Sequence, residues 1–250
     1  MDLTTILLAG LVIFGANIIE ALTGFGSGII ALPFLAILIG IKTAVPVIMT
    51  ISILFTTFMM ITNYRKVDLK AYLTIIFFVS LGLPIGAFVF SSFNEETLKL
   101  ILGVFIILSA ARSLFRMKYP GKETHSKAYG VFQRVMLFGG GIVQGAFATG
   151  GPLIVIYSAD KLKDKSVFRA TMCAVWLTLN AILVTKNFIV GGIMTGEVFE
   201  LVAVTVPFFG AGIFIGLKLH KKVSIKAFTA LINIVLIAAG ISTVLWAILN

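Results

Sequence analysis

The sequence predicts an all-α polytopic membrane protein built from two inverted repeats, each with five hydrophobic segments. Of the 250 residues, 59% are hydrophobic and 12% are charged, whereas an ordinary soluble domain carries about 25% charged residues. Apolar runs of about 20 residues, the length that crosses a hydrocarbon core, recur from end to end. Lys and Arg residues are concentrated in alternate loops between these runs, which is typical of a multi-pass protein.

Ten apolar segments follow one another along the chain. The longest polar stretch, Arg112 to Arg134, separates five segments from five. We therefore divide the chain into a first transmembrane repeat at 1–116, a cytoplasmic linker at 117–130 and a second transmembrane repeat at 131–250. The predicted segments are 3–20, 24–40, 43–62, 70–91, 97–115, 131–147, 150–160, 167–187, 197–217 and 225–248.

Short motifs recur in the two halves in the same order and at nearly the same separation, which indicates an internal duplication. The matching pairs are Thr23-Gly24 with Thr149-Gly150, Lys42 with Arg169, and the stretch 82–86 with 212–216.

The placement of basic residues predicts the orientation of the two halves. Because Lys and Arg collect in cytoplasmic loops, the basic loops 65–70, 112–134, 161–169 and 218–226 are placed in the cytoplasm. The sixth and seventh segments then leave the cytoplasm and return to it, as a hairpin without a net crossing, and the first two segments form a matching hairpin. Each half crosses the membrane an odd number of times, so the halves are inverted, a plan found in many secondary transporters. An alternative joins each short pair into one broken helix, giving eight crossings and parallel repeats.

The turns of the two hairpins are the predicted substrate site. Short, glycine-interrupted segments at corresponding places in two halves are the best sequence indication of a binding site in a transporter. A helix that begins there presents free N–H groups and the positive end of its dipole to an anion. The alternative is that these glycines only allow close helix packing. The candidate residues are Thr23, Gly24, Gly26 and Ser27 in the first turn, and Gln144, Thr149, Gly150 and Gly151 in the second.

Charged and amide side chains near the hairpins are further candidates. Glu20 is the acidic residue of the first hairpin, and an intramembrane carboxylate suggests a proton carrier, a cation ligand or a partner to a buried base; the alternative is a helix-end carboxylate near water. Arg169 and its counterpart Lys42 could attract an anion from opposite faces, or they could be helix ends whose heads reach water. Weaker candidates are Asn17, Asn180 and Trp176.

Several functional classes are not expected. The basic residues form no contiguous face with interleaved aromatics, so nucleic-acid binding is not predicted. Cys173, His125 and His220 are isolated in the sequence, and no metal-ligand spacing or nucleophile motif occurs. We therefore predict neither an enzyme nor a metal or cofactor site. The expected partners are a small anionic substrate and the lipid bilayer. The sequence does not decide between a monomer and a homodimer.

The glycine motifs resemble those of the TauE/SafE family of sulfite exporters and sulfonate transporters. The resemblance rests on Thr23-Gly24-Phe25-Gly26-Ser27-Gly28, on Thr149-Gly150-Gly151-Pro152, and on the helix start at 168–171. It implies a multi-pass protein of the plasma or inner membrane that transports sulfite, a sulfonate or a similar anion. The predicted mechanism is alternating access around a midplane site at the hairpin tips, with Glu20 as a candidate for proton coupling. The alternatives are an anion channel and a cation carrier that uses Glu20 as a ligand.

Overall fold

A computed structural model describes residues 3–23, 26–119, 126–190, 195–219 and 225–249, and in these ranges every regular element is helical. The helices are α1 (Leu3–Thr23), α2 (Ser27–Ile39), α3 (Ile41–Asn63), α4 (Leu69–Ser92), α5 (Glu95–Lys118), α6 (Lys127–Phe147), α7 (Gly151–Lys161), α8 (Lys165–Val190), α9 (Gly196–Leu219) and α10 (Ile225–Leu249), with one 3-10 turn at Tyr64–Lys66.

Each predicted apolar segment corresponds to one helix, and this confirms the prediction of a polytopic α-helical membrane protein. Among the described helices, seven are long and apolar enough to cross a membrane: α1, α3, α4, α5, α8, α9 and α10. Large apolar side chains on these helices point outwards, such as Phe77 and Phe88 of α4, which are 62% and 68% exposed. Outward-facing phenylalanines suit lipid tails, which are as apolar as the side chains themselves.

The two arms of each hairpin differ in length, which the predicted segments indicated for the second hairpin but not for the first. The first arms, α1 and α6, have 21 residues each, or about 32 Å of helix. The second arms have 13 residues in α2 and 11 in α7, or about 20 Å and 17 Å. Helix α6 begins four residues before the predicted segment because the hydroxyl of Ser126 accepts a hydrogen bond from the Tyr129 N–H and caps the helix.

Helix α7 folds back along α6. The Gln133 amide donates a hydrogen bond to the Asp160 carboxylate at 3.0 Å, which joins the first third of α6 to the end of α7. Further along, Gly140 faces Ile154. The open ends of this hairpin therefore lie together. Helices α1 and α2 also pack against each other.

The helices form two compact units that do not coincide with the two sequence halves. The first unit contains α1, α2, α5, α10 and most of α9, and the second contains α4, α6, α7, α8 and most of α3. The division into repeats at 1–116 and 131–250 stays a prediction, since a sequence repeat need not fold as a separate unit. The units are Met1–Ala44, Phe93–Thr124 and Val204–Asn250 for the first, and Val45–Ser92 and His125–Ala203 for the second.

Glycines bring α4 and α6 into backbone contact in the second unit. A Cβ atom on Gly82 or Gly86 would collide with backbone atoms of α6, and one on Gly141 or Gly145 would collide with backbone atoms of α4. Both helices therefore carry a Gly-x-x-x-Gly pair at the contact, the spacing that allows close approach of helices in membranes. This contact fixes the first arm of the second hairpin.

Glycines also hold the first unit together. Gly212 and Gly216 of α9 face the Phe14 and Ile18 backbones of α1. Helices α5 and α10 meet where Gly103 approaches the Gly240 carbonyl oxygen. Both hairpins therefore have their first arm packed on a glycine-bearing helix that belongs to the other sequence half.

Candidate functional site

The tip of the second hairpin is a three-residue turn between α6 and α7. Ala148 follows the last residue of α6 with a φ of 57°, and its N–H donates to the Gln144 carbonyl oxygen at 2.9 Å. This left-handed cap ends α6. Gly150 precedes α7, and Pro152 lies in the first turn of α7, where its missing N–H leaves no bond unmade. Ala148, Gly150 and Pro152 therefore allow the chain to reverse its direction within a few residues.

Buried amide side chains anchor this tip to two other helices. The Gly150 N–H donates to Gln144 Oε1 at 3.0 Å, and Gln144 Nε2 donates to Asn180 Oδ1 at 2.8 Å. Asn180 Nδ2 in turn donates to the Ser52 hydroxyl at 3.0 Å. Gln144 is 0% exposed and Asn180 is 3% exposed. We call these four residues, from α3, α6, α8 and the tip, the amide network.

The tip has polar groups without a hydrogen-bond partner in the described part of the chain. Thr149 is 4% exposed, and its hydroxyl has no hydrogen-bond partner within the described residues. The N–H groups of Thr149 and Gly151 also form no hydrogen bond to the described part of the chain. The Gly150 N–H, which the sequence suggested as an anion donor, is occupied by Gln144. A buried hydroxyl without a partner costs free energy, so its presence here calls for a function.

The two glycines of the tip have different roles. A Cβ atom on Gly150 would collide with the Gly140 carbonyl oxygen, so Gly150 is needed for close packing on α6. A Cβ atom on Gly151 would lie 3.7 Å from Cζ2 of Trp176, which is an ordinary contact. Gly150 is therefore explained by close helix packing, the alternative to a binding role. Gly151 lies beside the Trp176 ring, where a methyl group would fit.

Arg169 lies on the same face of α8 as the residues that touch the tip. Trp176 and Asn180 follow Arg169 by 7 and 11 positions, spacings that return to one helix face. The Arg169 side chain is partly buried, and its Nη2 atom lies 3.7 Å from the Met59 sulfur. Its buried Nε atom has no hydrogen-bond partner within the described residues. Its guanidinium has no carboxylate within 4.0 Å in that part of the chain.

The tip of the first hairpin is described only on its α2 side. Gly26 precedes α2 with a φ of 104°, a conformation that favours glycine, and open space surrounds the position of its missing Cβ atom. Ser27 is buried at the start of α2. Gly24 and the side chain of Thr23 lie outside the described residues.

Two buried polar residues precede the first tip on α1. Glu20 is 3% exposed and Asn17 is 2% exposed. They are three positions apart, so they are neighbours on one helix face. Asn17 donates from Nδ2 to the Ile13 carbonyl oxygen at 2.7 Å, while its Oδ1 atom has no partner within the described residues. Lys42, in contrast, is exposed. Among the described residues, no three His, Cys, Asp or Glu side chains are grouped for a metal ion.

Ser52 is the one member of the amide network that the sequence analysis missed. It is the one serine of α3, a helix that also carries five threonines. The repeat offers a signal that could have found it, because the separation that matches Lys42 with Arg169 places Ser52 one position from the counterpart of Asn180. Hydroxyl residues in membrane helices commonly bond to their own backbone, which makes such a signal weak on its own.

Comparison with known proteins decides the family. The family model described as Sulfite exporter TauE/SafE matches residues 9–243. The chain belongs to the TauE/SafE family. The family resemblance that the glycine motifs indicated is thus confirmed, and the two hairpins belong to a member of a family of membrane transporters.

A curated TauE/SafE-like relative supports the same conclusion. The chain is 24% identical over 184 residues to the "Probable inner membrane transporter protein TsaS" of Comamonas testosteroni, an alignment that covers 72% of this chain and 74% of that protein. No solved structure matches the chain. Together with the seven apolar helices, the family and this relative confirm a multi-pass protein of the plasma membrane.

Proposed function

We propose that this TauE/SafE protein is a secondary transporter that moves a small sulfur-containing anion, such as sulfite or a sulfonate, across the plasma membrane by alternating access. The observation that carries the proposal is the buried hydroxyl of Thr149, two residues before α7, which has no hydrogen-bond partner among the described residues. In a family of sulfite exporters, transport is the activity that this feature supports, and we propose no enzymatic reaction.

The chemistry of the second tip suits an oxyanion. Sulfite and sulfonates carry three oxygen acceptors and need donors in place of water. Thr149 supplies a hydroxyl and an N–H, Gly151 supplies an N–H, and α7 directs the positive end of its dipole at them. Arg169 adds a positive charge that no described carboxylate neutralises. Hydrogen bonds to a charged acceptor are about twice as strong as neutral ones, which would offset part of the desolvation of the anion.

Two contacts support the inverted-repeat plan, which many alternating-access transporters share. Gly82 and Gly86 of α4 pack on α6, and Gly212 and Gly216 of α9 pack on α1. Under the duplication α4 corresponds to α9 and α6 to α1, so both contacts join equivalent helices of opposite halves. The fold-back of α7 along α6, joined by Gln133 and Asp160, supports the hairpin interpretation over the broken-helix alternative. That both tips serve one site stays a prediction.

Glu20 is the candidate for coupling anion movement to protons. Its carboxyl group is 3% exposed on an apolar helix, and carboxyl groups so placed in transporters commonly carry protons or bind ions. The neighbouring Asn17 Oδ1 atom, an acceptor without a partner in the described part of α1 and its surroundings, could receive the hydrogen of a protonated carboxyl. The same pair of oxygen atoms also favours the second candidate function, a cation carrier.

A thermal-shift screen of the detergent-solubilised protein separates the two candidates. A ligand present at 100 times its Kd stabilises the folded state by about 2.7 kcal/mol, or roughly 5–10 °C for a chain of this size. We expect sulfite or methanesulfonate to raise the melting temperature by about this amount, since either can occupy the donors of the Thr149 tip.

Sodium chloride at equal ionic strength is the reference, and calcium, magnesium and zinc chlorides are the competing probes. Stabilisation by a metal ion, with none by sulfite or methanesulfonate, would reject the anion carrier and favour the cation carrier.

A further inference from the structure

We propose that Asn180 and Ser52 are positioning residues for anion binding: through Gln144 they hold the second hairpin tip in the conformation that offers its donors to the substrate. This inference rests on the proposed function, because it assumes that the tip binds an anion. Neither residue belongs to the tip itself. Asn180 lies on α8 and Ser52 on α3, and both reach the tip only through the side chain of Gln144.

The amide network has one hydrogen-bond direction. A backbone N–H can only donate, so the Gln144 atom that faces Gly150 must be its oxygen. The Gln144 NH2 group then faces Asn180, which must present its own oxygen. The Asn180 NH2 group therefore faces Ser52, whose hydroxyl accepts. Both amide orientations in the network therefore follow from the Gly150 N–H, which can donate a hydrogen bond but cannot accept one.

This direction determines the donors of the tip. Gln144 Oε1 occupies the Gly150 N–H, so the unused donors are the Thr149 hydroxyl and the N–H groups of Thr149 and Gly151. If the Gln144 amide turned over, its NH2 group would face the Gly150 N–H, two donors would oppose each other, and the turn would shift. Asn180 stabilises the observed orientation because its oxygen accepts from the Gln144 NH2 group, and the Ser52 hydroxyl, which can donate or accept, accepts from the Asn180 NH2 group.

Burial makes the network rigid. Gln144 is 0% exposed and Asn180 is 3% exposed, so water does not compensate for a lost partner, and an unpaired buried donor costs more than the net value of the bond. The network also joins the tip to α3 and α8, the helices that carry Met59 and Arg169. The Arg169 guanidinium therefore lies on a helix, α8, that the network also joins to the tip.

The test measures the half-saturation concentration for radiolabelled sulfite uptake into proteoliposomes, together with the melting temperature of each variant. Asn180→Ala and Ser52→Ala are each expected to raise the half-saturation concentration about fivefold or more, which is the effect of losing one net hydrogen bond. Ser52→Thr keeps the hydroxyl and is expected to match the wild type. Thr178→Val is the matched control, because Thr178 lies on α8 beside Asn180 but bonds to Tyr72 of α4.

A double-variant cycle separates positioning from a general structural role. If Asn180 acts through Gln144, then Asn180→Ala adds nothing to the half-saturation concentration once Gln144→Met is present. Additive effects in this cycle would overturn the inference. A second result would also overturn it. In that result, Thr149→Val raises the half-saturation concentration, but Asn180→Ala and Ser52→Ala leave it equal to that of Thr178→Val. Unchanged uptake by Thr149→Val itself would instead reject the proposed site.

Discussion

Gly141→Ala is expected to lower the melting temperature of the protein by roughly 6–12 °C, because an overpacked contact costs about 3 kcal/mol. The new methyl group would collide with the Val79 carbonyl oxygen of α4. No rotamer avoids this contact, since the Cβ position is fixed by the backbone. Helices α4 and α6 would have to separate, and with them the support of the second hairpin. Gly86→Ala, whose methyl group would meet the Ile142 carbonyl oxygen from the other side, is expected to act in the same way.

Gly130→Ala is the matched control for this prediction, because Gly130 lies on the same helix with nothing within 4 Å of its missing Cβ atom. Its melting temperature is expected to equal or slightly exceed that of the wild type, since alanine favours helix formation. Melting in detergent, followed by the fluorescence of Trp176 and Trp246, is the measurement. Equal melting temperatures for Gly141→Ala and Gly130→Ala would contradict the close α4 to α6 contact.

Glu20→Gln is expected to abolish the pH-driven accumulation of the anion. Glutamine keeps the size of the side chain and its hydrogen-bonding oxygen but cannot release a proton. In the wild type, a gradient of one pH unit can support an accumulation ratio of up to about tenfold for each coupled proton, since tenfold corresponds to about 1.4 kcal/mol. The variant should still equilibrate sulfite down its own gradient, because the donors of the Thr149 tip are unchanged.

Accumulation of radiolabelled sulfite in proteoliposomes under an imposed pH gradient measures this effect. Glu96→Gln is the control, since Glu96 is an exposed carboxylate in the first turn of α5. Accumulation by Glu20→Gln at the level of the wild type would remove Glu20 from the coupling mechanism.

The fold could be predicted from the sequence because hydrophobic length and loop charge act locally. Ten apolar segments became ten helices, since each must satisfy its own backbone hydrogen bonds within lipid. The added turn of α6 depended on a single capping residue, Ser126. Each unit contains helices from both halves, and this arrangement depends on contacts between residues that are distant in the sequence, such as Gly86 with α6. A glycine motif indicates that a helix packs closely, but it does not identify the partner helix.

The sequence predicts a candidate site at the hairpin tips, but it does not tell which groups of a tip are free for a substrate. Glycine content and the repeat pointed to Thr149 and Gly150, but only the structure separates the unused Thr149 hydroxyl from Gly150, which packs on Gly140. Gln144 was a candidate ligand, yet its amide binds the tip itself. A side chain can satisfy either the protein or a substrate, and that choice depends on three-dimensional distances that residue type does not encode.

Uptake of radiolabelled sulfite into proteoliposomes, compared between the wild type and Thr149→Val, tests whether the second hairpin tip binds the transported anion. Valine keeps the shape of threonine and removes the unpartnered hydroxyl. We expect saturable uptake by the wild type and a half-saturation concentration raised about tenfold or more in the variant, since a hydrogen bond to a charged group contributes about 1.5–3 kcal/mol. Identical saturation curves for the two proteins, or uptake that never saturates, would contradict a carrier with its anion site at the second hairpin tip.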